Sequence, residues 1–296
     1  MFIDIHAHAY RIKPVFMFHT AETLLERYDQ HKIDMGVLLP VVSPEIYFPQ
    51  AVEDVVEMSQ KYPDRFIPYC NVDPRAYTNS SSAPLGKALR YYKDLGCKGI
   101  GEVMPNMQLL DPKVQNLFAC AEEVDMPIVY DGSVQLDGDF GLYDDPGLPQ
   151  LEYTLQMYPN LKIFGHGPVF WSEIGRLETV AQRGFYMNKN GRQFCKKPSG
   201  PIEEEGVVPK LFRRYPNLHG DLSDGTAYNA IARDPDYGPR FLTEFQDRLY
   251  FGTDYCNEFM TIELDKLLIS WKETGKISQT VFRKIAYDNA VKLFGL

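Results

Sequence analysis

Eight short apolar segments recur along this chain at intervals of about thirty residues, the length of one strand-plus-helix unit. They cover residues 2–8, 35–39, 66–72, 97–103, 127–130, 161–165, 218–222 and 249–252, and a helical pattern follows each. Apolar strands that alternate with helices are what a parallel sheet covered by helices requires. The spacing therefore predicts a (β/α)8 TIM barrel, α/β in class, built as a single domain over residues 1–296, a length that suits a fold of about 250 residues. An open doubly wound sheet is the structural alternative. Its glycine-rich phosphate fingerprint is missing, because Gly165-His166-Gly167-Pro168 lacks the spacing and Pro168 removes an amide that an anion would need.

Local signals place the helices. Thr20 is an N-cap candidate for residues 21–30, and Pro63 stops a helix that begins near Gln50. Gly96 closes a helix over 85–95, and Asp111 followed by Pro112 opens another. Ser172 is predicted to open a helix over 173–183, with Ile174, Leu177 and Ala181 on one face. The one long gap, an extended loop between strands six and seven, covers residues 185–206. With Asn188, Lys189, Asn190, Arg192, Lys196 and Lys197 ahead of Pro198-Ser199-Gly200-Pro201, it is too rich in proline, glycine and charge for a core element. It reads as a loop over a barrel mouth, there either to hold a carboxylate or phosphate or simply to be solvated.

Composition narrows the partners. A net charge of −9 and a pI near 5.2 offer no basic footprint for nucleic acid or for an anionic membrane surface. No apolar run reaches membrane-spanning length, and a strand that starts at Phe2 leaves no room for a leader, so a cytoplasmic protein is expected. A small-molecule substrate is the expected partner; monomer and homodimer both stay open. Five cysteines, Cys70, Cys97, Cys120, Cys195 and Cys256, are odd in number and show no CxxC pair, which fits reduced thiols. Cys256 reads as a buried core residue or as a substrate contact.

In a barrel of this kind the chemistry gathers at the C-terminal ends of the strands. Strand one ends in His6 and His8, strand four carries Glu102, strand five ends at Asp131 and strand six at His166. Strand seven leads to Asp221, Ser223 and Asp224, and strand eight ends at Asp254. Strand alternation puts Asp4, His6 and His8 on one side, so the two imidazoles converge as half of a tetrahedral metal site. Carboxylates and imidazoles buried at one mouth are costly unless they are paired or bound to a cation.

Three stretches carry a resemblance. Ile3-Asp4-Ile5-His6-Ala7-His8, Ile163-Phe164-Gly165-His166-Gly167 and Leu249-Tyr250-Phe251-Gly252-Thr253-Asp254 resemble the strand-one, strand-six and strand-eight signatures of the amidohydrolase superfamily. The branch is the amidohydrolase-related one, which includes metal-dependent aromatic decarboxylases and several lactone hydrolases. The resemblance implies that His6 and His8 are metal ligands and that Asp254 is both a ligand and the base for metal-bound water. It implies that His166 is a ligand or polarises substrate, and that Glu102 lies where other branches place a bridging carboxylated lysine or glutamate. Strand five departs from the pattern, since Asp131 stands where a histidine ligand is usual; an aspartate could still ligate zinc or manganese. The implied cofactor is a divalent metal, zinc first and manganese as the alternative, with one or two ions.

Three functions follow. The first is hydrolysis of a small, carboxylated amide, ester or lactone by metal-activated water, with Arg11, Arg75 and Arg192 as candidate clamps on the substrate. The alternative is a metal-dependent decarboxylase, a lyase acting on an aromatic or unsaturated acid, with Asp254 or His166 protonating carbon. The third is a barrel that binds metal or ligand without catalysis.

Overall fold

The computed structural model describes residues 1–13, 18–45, 50–188, 191–194 and 197–296, with backbone alone for 185–188 and 191–194. Eight parallel strands form the predicted barrel: β1 (Phe2–Ala7), β2 (Ile33–Leu38), β3 (Phe66–Pro68), β4 (Ile100–Val103), β5 (Ile128–Ser133), β6 (Ile163–His166), β7 (Leu218–Asp221) and β8 (Leu249–Tyr250). β1, β2 and β3 pair in that order, and β4 to β8 pair in sequence order. Backbone hydrogen bonds join the two arcs. Lys98 N donates to Pro68 O at 2.9 Å and Gly101 N to Cys70 O at 2.8 Å between β3 and β4. Ile5 N donates to Phe251 O at 3.0 Å and Asp254 N to His6 O at 2.8 Å between β1 and the end of β8.

Two apolar layers hold the ring. Ile3, Ile5, Val37, Leu39, Ile67, Val129, Phe164 and Tyr250 fill one cluster, and the C-terminal helix Asn289–Phe294 adds Ala290 and Phe294 to it. A larger cluster lies between strands and helices, including Leu24, Val55, Leu89, Leu117 and Phe212. The capping signals hold. The Thr20 hydroxyl accepts from Thr23 N at the start of helix Ala21–His31, and Asp111 accepts from Lys113 N at 2.8 Å ahead of Pro112–Glu123. Among the described residues no helix is long and apolar enough to cross a membrane.

Three expectations need correction. Residues 173–183 do not form one helix; short 3-10 turns at Ser172–Ile174 and Val180–Arg183 flank an extended Gly175, which bridges Glu205. Tertiary contacts outweigh the helical spacing there. Glu173 and Arg183 form a buried ion pair at 2.6 Å, and Arg183 also donates to the carbonyls of Asp144 and Asp145. The 185–206 segment is not a single loop, since Phe185–Asn188 and Gly191–Phe194 pair as antiparallel strands. Lastly, Asp4 does not stand beside the two imidazoles. The β1–β2 register shifts between Asp4 and Ala7, and Asp4 instead accepts from Tyr28 OH at 2.8 Å. Gly36, the Cα partner of Asp4 on β2, makes that bond possible, because a side chain there would run into the Tyr28 ring.

One buried histidine makes the fold acid-sensitive. His219 on β7 stacks on Phe164 with ring centroids 5.0 Å apart, and its Nδ1 has no hydrogen-bond partner. Burial, reinforced by the Arg248 and Lys162 charges, pushes its pKa from 6.5 down to about 3. Between those values the unfolded chain binds a proton that the folded chain refuses, so stability falls as pH drops. The contribution reaches about 1.4 kcal/mol per pH unit. Urea midpoints of wild type and His219→Leu, measured from pH 7 to pH 4, should show the wild-type value falling more steeply as pH drops; parallel curves would refute this assignment.

Candidate metal centre

Two histidines from one strand reach the centre of the mouth in a fixed tautomer. His8 Nδ1 lies 2.9 Å from Leu39 O, which can only accept, so in the neutral ring Nδ1 carries the proton and Nε2 is left for a cation or a second proton. His6 Nδ1 donates to Asp221 Oδ2 at 2.6 Å, which leaves its Nε2 available in the same way. The two Nε2 atoms stand only 3.1 Å apart. Two lone pairs at that distance repel unless a proton or a cation lies between them.

Two carboxylates complete the surround. Glu102 Oε2 is 3.5 Å from His6 Nε2 and 3.4 Å from His8 Nε2, and Asp254 Oδ1 is 3.5 Å from both. A tetrahedral ion with bonds of about 2.0–2.1 Å keeps its ligands about 3.3–3.4 Å apart. Each carboxylate oxygen keeps about that spacing from both histidine nitrogens, and the donor types suit a divalent ion. The clusters His6–His8–Glu102, His6–His166–Asp254 and Glu102–Asp131–His166 each keep their ligand atoms within 4.8 Å of one another.

The Gly252-Thr253-Asp254 sequence explains how strand eight delivers its carboxylate. Gly252 has no side chain because a Cβ there would lie 2.7 Å from Asp221 Oδ1. Thr253 binds Asp4 through both N, at 2.9 Å, and Oγ1, at 2.6 Å. Asp254 then turns into the left-handed region, with φ at 57°, and faces the two histidines.

The electrostatics follow from crowding. Burial opposes charge on His6 and His8, yet the Asp221 and Glu102 carboxylates lift His6 well above its usual value, and Asp254 and Glu102 raise His8. Burial would raise Glu102, but the neighbouring imidazoles, His6 first, hold it well below the carboxylate range. Asp131 goes the other way, raised by burial and then by the Glu102 charge. His166 is pushed down by burial and by His6, but Asp221 and Glu102 outweigh them and bring it up to about 9.

A cavity of about 330 Å³ opens above this cluster, with His8, Glu102, Asp131, His166 and Asp254 in its lining. The remaining walls are mainly apolar: Tyr10 and Phe18 stack at 5.3 Å, and Val41, Met104, Val134, Phe140 and Val169 continue them, with Asp139 and Asp224 as two further carboxylates in the lining. Cys256 lines it too. Among the described residues no arginine or lysine does. Arg11 pairs with Asp54 at the surface, and Arg75 forks onto Glu45 and Asp73, so neither is brought to the cavity. The Arg192 side chain and Cys195 lie outside the described residues. Sequence reading placed Asp221 at a strand end without giving it a role, and it missed Leu39, whose backbone carbonyl carries no sequence signal.

Eight parallel strands around histidines and carboxylates at their C-terminal ends define a TIM-barrel protein of the amidohydrolase class. The amidohydrolase family profile matches residues 3–296, and the chain belongs to that family. Among solved structures it is similar to the uncharacterized TIM-barrel protein Bb4693 from Bordetella bronchiseptica, at 17% identity and TM-score 0.63, over 99% of this chain and 98% of that one. It is similar to 2,6-dihydroxybenzoate decarboxylase from Rhizobium, at 18% identity and TM-score 0.56, over 99% and 98%. A third is 5-carboxyvanillate decarboxylase from Novosphingobium aromaticivorans with manganese and 4-hydroxy-3-methoxy-5-nitrobenzoic acid, at 18% identity and TM-score 0.60, over 93% and 80%. At these identities the likeness speaks for the fold. No curated protein matches the chain.

Elemental analysis after growth with manganese or zinc should find about one divalent ion per wild-type chain, the complement of a single tetrahedral cage. The double variant His6→Ala/His8→Ala should hold none. Unchanged metal content in that variant would remove both histidines from the ligand set.

Proposed function

We propose that this chain is a metal-dependent decarboxylase of an aromatic acid. One observation carries the reading: a histidine–carboxylate cage forms the polar part of a cavity whose other walls are mainly aromatic and aliphatic. A flat ring fits between such walls, and its carboxylate has a cation at the cage as its natural counter-charge. The solved relatives that act on dihydroxybenzoate and carboxyvanillate support the same reading. Hydrolysis of a carboxylated substrate, the first expectation from sequence, draws less support, because two of its three candidate clamps, Arg11 and Arg75, pair with carboxylates away from the cavity.

His6, His8, Glu102 and Asp254 would hold the ion. Two nitrogen and two carboxylate oxygen donors suit manganese as well as zinc, and the carboxylate share tilts the choice towards manganese. The bound ion would supply Lewis-acid anchorage for the substrate carboxylate and an adjacent oxygen. Asp254 lines the cavity and its side chain is 22% exposed, so it can deliver a proton to the ring carbon that bears the carboxylate. The carbon–carbon bond then breaks, its electron pair returns to the ring and carbon dioxide leaves. Asp254 is reprotonated from bulk solvent, so each turnover consumes one proton and releases one carbon dioxide. His166 faces the cavity with Ser223 Oγ 2.9 Å from its Nδ1, and so is placed to hold a substrate oxygen. Apolar walls strengthen each of these contacts by excluding water.

With manganese supplied, hydroxybenzoate-type acids should release carbon dioxide while lactones and amides stay intact; turnover of lactones or amides alone would overturn the proposal. Asp254→Asn should lower kcat by about 10²–10⁴-fold, the usual contribution of a general acid. Near-normal turnover would remove Asp254 from the proton-transfer role.

A further inference from the structure

One carboxylate outside the cage touches two of the histidines at its mouth. Asp221 Oδ2 is 2.6 Å from His6 Nδ1 and 3.3 Å from His166 Nδ1, and Asp221 Oδ1 accepts from Ser223 N at 3.0 Å. The residue is fully buried. His6 and His166 come from strands on different arcs of the ring, yet their rings lie 4.3 Å apart at 36°. Ser223 Oγ reaches His166 Nδ1 at 2.9 Å, so His166 has a second anchor that His6 lacks.

We infer that Asp221 is a positioning residue that sets the His6 tautomer for cation binding and, through the same oxygen, seats His166. The inference rests on the metal-centre reading above. Its physical basis is that both Asp221 oxygens must accept: one from the His6 ring, the other from the Ser223 backbone. A carboxylate accepts on both sides, whereas an amide cannot. In Asp221→Asn, an NH2 facing His6 forces the ring proton onto Nε2 and points it into the cage. An NH2 facing Ser223 N sets two donors against each other and dislodges the side chain. Either way His6 loses the partner that keeps its Nε2 free for metal. The two arms are separable, because Ser223→Ala removes an anchor of His166 alone.

The test combines manganese titration with imidazole NMR. In the metal-free wild type, His6 should show an Nδ1 proton shifted downfield by its 2.6 Å bond. Asp221→Asn should lose that signal and bind manganese about 10–100-fold more weakly. Ser223→Ala should keep manganese affinity and the His6 signal while the His166 resonances move. Gly252→Ala tests position with charge retained. Its Cβ would fall 2.7 Å from Asp221 Oδ1 and 2.8 Å from Ser223 Cβ, so it displaces both; manganese binding should weaken in Gly252→Ala and not in Ser223→Ala, which assigns the loss to the carboxylate. If Asp221→Asn fails to fold, Gly252→Ala and the wild-type spectrum decide the matter. Wild-type manganese affinity in Asp221→Asn, or a wild-type His6 without an Nδ1 proton, overturns the inference. A wild type that binds no divalent ion overturns the metal-centre reading instead, and the His6 proton still reports on Asp221.

Discussion

Everything at the mouth of this barrel depends on how the ring closes between its first and last strands, and that seam is governed by Asp4. Its carboxylate accepts from His6 N, Tyr28 OH, Thr253 N and Thr253 Oγ1, at 2.6–3.0 Å. Burying a carboxylate is expensive, and burial pushes its pKa up to about 6 despite those four donors. In return, residues 249 positions apart are locked in register. Asp254, the residue after Thr253, is thereby set across from His6 and His8. A slip of one residue at this seam would turn it away.

The carboxylates around the site then divide by environment, though they are chemically alike. Asp221 is held well below its usual value: burial opposes the charge, and His6 and His166 more than offset it. Glu102 is held ionised by the same imidazoles, whereas Asp131, facing Glu102 without so close a cation, is driven towards its neutral form. Crowding charge of both signs into a buried space is tolerable because each group has a specific partner. The cavity above is walled mainly by apolar side chains, which screen the cage less than water would. This contrast between a charged floor and a dry wall suits a reaction that turns a bound carboxylate into neutral carbon dioxide.

Much of this was legible in the chain. His6, His8, Glu102, His166 and Asp254 each stand at the C-terminal end of an apolar strand, and strand ends can be found from local patterns alone. The barrel was legible for the same reason, since burial on both faces and a helix after every strand are periodic signals. Residues 173–183 show the limit: their helical spacing is real, but Arg183 is drawn to Glu173 and to the Asp144 and Asp145 carbonyls instead. Arg75 shows it again, because nothing in its own neighbourhood announces Glu45, thirty positions away.

The sequence by itself therefore determined the architecture and the kinds of side chain offered at its mouth. Both are written in local periodicity, where neighbours along the chain are neighbours in space. Only the tertiary structure decided the pairings: that Asp4 serves the seam and not the cage, that Asp221 holds His6 and reaches His166, and that Arg11 and Arg75 pair with carboxylates away from the cavity. Those outcomes depend on contacts closed across tens to hundreds of residues, and on which donor reaches a buried carboxylate first. No local pattern encodes that distance.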